Sequence, residues 1–147
     1  AVLHDLGKLE IEPSILKSTA VLGPEQMRTL RNHAIYGARL VDSYQPLRIL
    51  TNIIRHHHER FDGQGYPDGL AGEDIPYLSR ILAVADSIDA MAHPRPYRLC
   101  PLEKQQILNV LDQESGYQFD PRIATAAMEL LSAGKLLRES QLNRSRC

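Results

Sequence analysis

The sequence has little of what marks a secreted, membrane-bound or nucleic-acid-binding protein. Its two cysteines, Cys100 and Cys147, are far apart and form no paired framework, which fits a reducing compartment. No apolar run approaches the roughly 20 residues that cross a bilayer, and there is no signal-peptide pattern. A formal net charge of -1 gives no electrostatic case for duplex nucleic acid or an anionic membrane. We therefore expect a cytoplasmic protein, for which a small anionic substrate stays open.

The sequence also lacks internal repeats, low-complexity segments and a convincing serine or cysteine triad. A chain of 147 residues with 43% hydrophobic residues is about one domain and is long enough to bury a real core. The candidate chemistry therefore lies in its histidines and carboxylates.

The stretch from Arg55 to Asp68, RHHHERFDGQGYPD, places three consecutive histidines directly before a loop rich in glycine. A surface histidine cluster or an exposed helix end would explain the run by itself. However, an apolar stripe at helical spacing ends at Ile54, and His57 and His58 continue its inward face one turn later. Neutral imidazole is the commonest metal ligand near physiological pH, so we interpret His57 and His58 as metal ligands.

Glycine and proline fill the segment 62–72, which leaves no room for regular structure. A plain connection between helices would need only a few residues, and longer loops are often functional. We therefore predict a shaped loop in which Tyr66 offers an aromatic side chain to a nucleotide base or a partner protein.

Two further candidate sites precede the histidine run. His4 and Asp5 are adjacent, and Lys8 follows beyond a glycine. Such a pair can be an ordinary polar couple, but the carboxylate can also bridge two cations while the imidazole binds one of them. His33 lies at the edge of an apolar stripe, where a lone histidine is more often a core residue than a ligand. We interpret it as a ligand only because the sequence contains the other candidate metal ligands.

Asp86 falls on the apolar face of a predicted helix. Moving an unpaired carboxylate out of water costs several kcal/mol, so this position needs a cation or strong donors. Asp89 and His93 follow at helical spacing, and we interpret them as supporting or rim residues. Arg95 comes just after them, in a segment that brings positive charge toward the metals.

Apolar periodicity, with proline and glycine as punctuation, predicts an all-α fold. The first residues are expected to be the end of a helix stopped by Gly7, and a short turn is expected at 14–17. Gly37 should allow close approach by another element, and Asp120 should cap the last helix. Longer helices are predicted to begin at Pro24, Pro46, Pro76, Pro101 and Pro121. The predicted inward positions are Met27, Leu30, Ala34, Ala38, Val41, Leu47, Leu50, Ile54, Ile81, Leu82, Ala85, Ile88, Ile107, Val110, Leu111, Ile123, Ala126, Ala127, Leu130 and Leu131.

Several ordered motifs together resemble a known family. They are HDLGK at 4–8, the isolated His33, HHERFDGQGYP at 57–67, VADSIDA at 84–90, RPYR at 95–98 and GYQFDP at 116–121. This set closely resembles the HD-GYP domain, the bacterial branch of the HD phosphohydrolase superfamily that is associated with cyclic di-GMP hydrolysis. The resemblance covers nearly the whole chain, and it is far more specific than a single His-Asp pair.

The resemblance implies an all-α HD-domain helical bundle with an irregular GYP loop. It also implies a centre of two or three divalent metal ions, usually iron or manganese. By match of motif, the metal ligands are His4, Asp5, His33, His57, His58 and Asp86, with Asp5 bridging. Lys8 matches a catalytic lysine beside the metals, Arg95 matches an arginine near the substrate phosphate, and Tyr66 belongs to a loop that covers substrate or binds partners.

The implied activity is that of a phosphodiesterase that hydrolyses cyclic di-GMP to linear pGpG, GMP or both by a metal-bridged hydroxide. Two alternatives stay open. The chain could be a non-catalytic HD-GYP signalling module whose loop binds protein partners, diguanylate cyclase (GGDEF) domains among them. It could instead be an HD phosphohydrolase that acts on another nucleotide, although the intact GYP loop argues against this.

The resemblance also implies that the helix carrying the superfamily's first histidine lies before residue 1. We expect residues 1–134 to form the HD-GYP domain without its first helix or helices, and residues 135–147 to form a polar tail. An upstream sensory domain, or a receiver domain of a two-component system, is expected. Whether the truncated chain is active by itself is an open question.

Overall fold

The structure is a computed structural model that describes residues 2–94 and 100–136. Within these residues there are helices and no β-strand beyond one isolated bridge, so the predicted all-α fold is confirmed. The α-helices are α1 (Pro13–Leu16), α2 (Pro24–Arg31), α3 (His33–Asp42), α4 (Thr51–Arg55), α5 (Tyr77–Ala92), α6 (Lys104–Gln113) and α7 (Pro121–Ser132). Short 3-10 helices span Leu6–Glu10, Gln45–Leu50 and Gly72–Asp74.

In the described part of the chain, none of these helices is long and apolar enough to cross a membrane. Arg95 and most of the predicted tail lie outside the described residues.

The first residues do not form the helix end that the sequence predicted. Residues 2–5 form turns, and Gly7 lies inside the first 3-10 helix instead of stopping an α-helix. Gly7 is buried against α3, where a Cβ atom would overlap the backbone oxygen of His33 and the backbone nitrogen of Gly37. The close approach predicted at Gly37 is therefore confirmed. Because neither glycine has a side chain, the segment with His4 and Asp5 lies directly beside α3.

The long helix predicted from Pro24 is in fact two helices, α2 and α3, which meet at Asn32. The Asn32 amide donates to carbonyls three and four residues back, so the hydrogen-bond pattern changes there from α to 3-10. Ala34 of α3 is fully buried, whereas Met27 of α2 is 38% exposed. The predicted stripe therefore belongs to α3, which begins with His33 itself.

The helix predicted from Pro46 begins as the 3-10 helix Gln45–Leu50 and continues as α4. Ile54 is buried as predicted, and Leu47 and Leu50 are half-buried. Since α4 ends at Arg55, the histidine run lies in the turn that follows the helix.

A second group of buried residues joins the three C-terminal helices, and we name it the apolar core. Its members are Val84, Ile88, Met91, Ala92, Ile107, Leu111, Phe119, Ala124, Ala127 and Leu131. Two predicted inward positions of α5 are wrong, because Ile81 is 37% exposed and Ala85 is exposed too. Ala126 and Leu130 of α7 are likewise exposed, and these side chains line an open apolar groove between α5 and α7. The true inward face of α5 is rotated toward Val84 and Met91.

The predicted cap of α7 is confirmed. The Asp120 carboxylate accepts a hydrogen bond of 2.9 Å from the Arg122 amide, and Pro121 occupies the first turn. Asp120 also pairs with the Arg80 guanidinium of α5. The buried carboxylate therefore joins two helices while its charge is matched.

The expectation about the two cysteines involves Cys147, which lies outside the described residues.

Candidate metal centre

The structure brings together all six side chains that the resemblance assigned to metals. His4 and Asp5 come from the N-terminal turns, His33 from the start of α3, His57 and His58 from the turn after α4, and Asp86 from the middle of α5. We name His4, His33, His57 and His58 the imidazole cluster. Their convergence follows from the Gly7–Gly37 contact and from the packing of α4 on both α3 and α5.

The carboxylates lie at the edge of the imidazole cluster. His4 Nε2 is 3.4 Å from an Asp5 oxygen and 3.3 Å from an Asp86 oxygen. The other Asp5 oxygen is 3.5 Å from His33 Nε2. Asp5 thus contacts two imidazoles, one with each of its two oxygens.

Backbone carbonyls fix the orientation of two imidazoles. His33 Nδ1 lies 2.7 Å from the Leu30 oxygen, and His57 Nδ1 lies 2.6 Å from the Ile54 oxygen. A carbonyl oxygen only accepts, so each Nδ1 carries the proton and each Nε2 presents a lone pair to the cluster. Such carbonyl partners commonly orient metal-bound histidines.

One of the nitrogens that face the imidazole cluster has no hydrogen-bond partner. His57 Nε2 is buried and has no hydrogen-bond partner, although buried polar atoms are nearly always paired. His33 Nε2 and His58 Nε2 face each other at 3.1 Å. In each of two groups of residues, one ligand nitrogen or oxygen per residue lies within 4.8 Å of the others. The first group is His33, His57 and His58, and the second group is His4, Asp5 and His57. These two groups share His57, and each could hold an ion.

The protonation states suit metal binding at neutral pH. Burial, and then the neighbouring imidazoles, lower the pKa of His57 to about 4 and that of His58 to about 3. Burial also lowers the pKa of His33. These histidines are therefore neutral near pH 7, as ligation requires.

Both carboxylates are held ionised. Burial by itself would raise the pKa of Asp5, but the hydrogen bond and charge of Lys8, with His4 and His33, hold it below its usual value. The Lys8 ammonium lies 2.7 Å from the Asp5 carboxylate. For Asp86 the hydrogen bond from His4 outweighs burial and lowers the pKa. A set of imidazoles and carboxylates without thiolate suits iron, manganese or zinc.

Tyr66 covers one side of the imidazole cluster. Its ring stacks on His58 with the centroids 4.9 Å apart, and its amide donates to the His58 oxygen. Gly65 makes this approach possible, because a Cβ atom there would overlap the backbone of Glu59 and Arg60. The irregular loop predicted after the histidines is therefore folded back on them.

Two residues that the sequence analysis left without a role hold this loop. Glu59 is 3% exposed, and one of its oxygens accepts the amides of Asp68 and Gly69 at 2.7 and 3.1 Å. His56 Nε2 lies 2.9 Å from Asp68, which also binds Arg55 through two hydrogen bonds. The first histidine of the run is therefore a loop anchor. The sequence did contain a signal for Glu59, because this charged residue lies between two histidines and the glycine-rich loop.

Asp89 and His93 pair with each other at 3.1 Å, and the Asp89 side chain is 61% exposed. Their predicted supporting role stays a prediction. Arg95, predicted to lie near the substrate phosphate, is outside the described residues.

Comparison with known proteins gives a family. Residues 1–123 match the family described as HD domain. The chain is 39% identical over 130 residues to the cyclic di-GMP phosphodiesterase response regulator RpfG of Xanthomonas campestris pv. campestris, covering 87% of this chain and 34% of that protein. It is 38% identical over 132 residues to a cyclic di-GMP phosphodiesterase of Thermotoga maritima, covering 88% and 36%.

Other relatives are named for a different substrate. The 3'3'-cGAMP-specific phosphodiesterase 3 of Vibrio cholerae is 33% identical over 133 residues, covering 90% of this chain and 28% of that protein. This chain thus spans about a third of the length of the curated relatives it matches.

A solved structure supports the fold. The crystal structure of a cyclic GMP-AMP specific phosphodiesterase from V. cholerae, V-cGAP3, aligns with a TM-score of 0.59 at 18% identity, covering 95% of this chain and 40% of that one. At that identity the likeness speaks for the fold alone. With the family match over most of its length, the chain belongs to the HD domain family, and its resemblance to the HD-GYP branch is confirmed.

Proposed function

We propose that this chain is the catalytic domain of a metal-dependent phosphodiesterase that hydrolyses cyclic di-GMP to linear pGpG, GMP or both. The observation that carries the proposal is the convergence of four imidazoles and two carboxylates around a buried nitrogen without a partner. The names of several relatives supply the substrate, since they are cyclic di-GMP phosphodiesterases.

The proposed ligands of two or three divalent ions, iron or manganese, are His4, Asp5, His33, His57, His58 and Asp86, with Asp5 shared. When bound, such ions supply hydroxide at neutral pH and positive charge that neutralises the phosphate oxygens. The polypeptide holds the ligands in place through the carbonyls of Leu30 and Ile54.

Lys8 and Tyr66 have distinct proposed roles. Lys8 holds the Asp5 carboxylate in orientation, and its charge would favour the negative charge that develops on phosphate. Burial raises the pKa of Tyr66 to about 12, so the phenol stays neutral and can donate a hydrogen bond to substrate. Arg95 is proposed to bind phosphate on the strength of its motif.

The setting of the domain is also a proposal. We place the HD-GYP domain at residues 1–134, a tail at 135–147, and an upstream sensory or receiver domain in the whole protein. Diguanylate cyclase (GGDEF) domains are the proposed partners of the GYP loop. The cytoplasm is the proposed compartment, because a doubly charged dinucleotide does not cross a bilayer unaided.

A second candidate substrate is 3'3'-cGAMP. Relatives named for that substrate are 33% and 34% identical to this chain, close to the values for the cyclic di-GMP enzymes. The two substrates differ in one base, whereas the proposed metal centre acts on the phosphodiester. The centre itself therefore does not discriminate between them.

The test is to purify the protein anaerobically, load it with iron or manganese, and measure metal content and hydrolysis of both dinucleotides on one sample. We expect at least two equivalents of metal, turnover of cyclic di-GMP, and loss of turnover on chelation. Faster hydrolysis of 3'3'-cGAMP would select the second candidate. Substoichiometric metal together with no hydrolysis of either would contradict the enzyme and favour the non-catalytic signalling module.

A further inference from the structure

Arg31, the last residue of α2, reaches the rim of the candidate metal centre. Its guanidinium carbon lies 5.1 Å from the centroid of the Tyr66 ring, within the range of a cation–π contact. The same ring stacks on His58. A contiguous series of guanidinium, phenol and imidazole therefore leads from the surface to the imidazole cluster.

Arg31 differs from Lys8 in how its charge is used. The Lys8 ammonium is 2.7 Å from the Asp5 carboxylate and is largely neutralised by it. Among the described residues, Arg31 has no carboxylate within ion-pair distance and no hydrogen bond through its guanidinium. Arg31 is also exposed. Its five N–H donors are therefore directed to solvent while one contact with an aromatic ring restrains it.

A cyclic dinucleotide needs such a group. It carries two phosphodiesters. Metal ions held by the six proposed ligands would act on the phosphodiester that is cleaved. The second phosphate carries its own negative charge, which a cation at the rim of the site would offset. A guanidinium can lie on an aromatic ring and still donate through its edge to phosphate oxygens.

We propose that Arg31 binds the phosphate of the dinucleotide that is not being cleaved, with Tyr66 holding its guanidinium in place. This inference rests on the proposed function and adds a substrate-binding residue to it. The rival explanation is that Arg31 only steadies the Tyr66 loop.

The test compares Arg31→Gln and Arg31→Lys with Arg28→Gln, a matched control one turn earlier on the same helix. Arg28 is also exposed and has no ion-pair partner among the described residues. Glutamine and arginine have similar helix propensities, so folding is expected to be unchanged. For each protein the dissociation constant for cyclic di-GMP is measured by calorimetry at two salt concentrations, beside kcat, KM and the thermal unfolding midpoint.

We expect Arg31→Gln to weaken cyclic di-GMP binding and raise KM about tenfold to a hundredfold, the usual loss for one charge-assisted hydrogen bond. Turnover at saturating substrate should change little. Binding should also depend less on salt than in the wild type, because a charge contact is gone. Arg31→Lys should recover part of the affinity, and Arg28→Gln should match the wild type.

The other outcomes separate the two proposals. Unchanged binding in Arg31→Gln, beside an active wild type, would overturn this inference alone. A lowered kcat with unchanged binding and salt dependence would likewise overturn it in favour of a role in steadying the loop. If the wild type binds cyclic di-GMP without hydrolysing it and Arg31→Gln binds more weakly, the inference stands while the proposed enzyme fails. A wild type that does not bind the dinucleotide overturns both.

Discussion

The apolar core is buried and the imidazole cluster is buried or half-buried, but the two regions satisfy their side chains differently. In the apolar core, ten hydrophobic residues pack together, and the nearby buried carboxylate of Asp120 accepts from the Arg122 amide and pairs with Arg80. In the imidazole cluster, His57 is 1% exposed and its Nε2 has no partner. His33 and His58 turn their Nε2 atoms toward each other.

The difference indicates what each region is for. A buried nitrogen without a partner lowers stability by about 1 to 3 kcal/mol, so its presence needs a reason other than folding. Glu59 Oε2 and Arg80 Nε are also buried without a partner, but His57 belongs to both groups of ligand atoms that could hold an ion. An unsatisfied polar atom within such a group is expected at a functional centre. The apolar core then stabilises the fold, whereas the unpaired nitrogen of the imidazole cluster lowers stability at a site suited to binding.

The largest expected effect comes from Asp5→Ala. If Asp5 is shared between ions, metal content and turnover should fall together, with catalytic efficiency on cyclic di-GMP reduced on the order of a thousandfold or more. The free energy of unfolding of the metal-free protein should change little, because the Asp5 side chain is 39% exposed. Elemental analysis, kinetics and urea unfolding on one preparation check this. Asp42→Ala, another exposed aspartate, is the control. Full activity in Asp5→Ala would contradict the shared-ligand role.

The opposite pattern is expected for Phe119→Ala in the apolar core. Phe119 is 2% exposed, and truncation of a buried phenylalanine costs about 3 to 5 kcal/mol of unfolding free energy. Metal content per folded molecule should be unchanged, because the site lies elsewhere. Urea unfolding of the metal-free protein measures the loss, with Tyr117→Ala, whose residue is 62% exposed, as the control. A loss no larger than that of the control would show that Phe119 is not part of the core.

The family resemblance supplied the full set of candidate ligands, and the cost of burial by itself indicated only some of them. Histidines after an apolar stripe, and an aspartate on an apolar helix face, conflict with ordinary burial, and the conflict is visible in the sequence at His57 and Asp86. The structure adds the Nδ1 contacts to Leu30 and Ile54, which depend on where each backbone carbonyl points. No side-chain pattern encodes that direction.

The errors arose where tertiary contacts overrule local pattern. Gly7 was interpreted as a helix stop, but it is glycine because α3 approaches too closely for a side chain. Ile81 and Ala85 satisfy a helical stripe, yet the neighbouring helices cover a face of α5 rotated away from them. Glu59 was given no role from the sequence. Its partners are backbone amides of the loop, which a sequence pattern does not reveal.

Gly7→Ala should have a smaller effect that connects the two regions. The new methyl group would overlap the backbone of α3, so the backbone must shift, and the cost should be at least the value typical of overpacking, about 1 to 3 kcal/mol. Since His4 and Asp5 are carried by the same segment, metal affinity should fall as well. Gly23→Ala is the matched control, because the nearest atom to a Cβ there is a flexible Gln26 oxygen at 3.7 Å. Unfolding and metal titration check both changes, and equal results for the two variants would contradict the packing argument.

The smallest effect is expected for Asp68→Asn, which tests how the loop is attached to the histidine run. Hydrogen bonds from Arg55, and then from His56, lower the pKa of Asp68 from 3.8 to about 2. A carboxyl group whose pKa is lower in the folded state stabilises the fold above its unfolded pKa, and this contribution is lost as pH falls through the folded value. The ion pair is partly exposed, so the wild type should exceed the variant by less than about 1 kcal/mol near pH 7.

That difference should shrink between about pH 4 and pH 2, where the wild-type carboxylate becomes protonated. The measurement is the free energy of unfolding of both metal-free proteins across this range. Other carboxylates titrate there too, but they contribute equally to both proteins and cancel in the difference. Asp112→Asn, at an exposed position of α6 without an ion-pair partner among the described residues, is the control. A difference that persists unchanged at pH 2 would mean that Asp68 contributes through packing and not through its charge, so the loop would be attached mainly by Glu59.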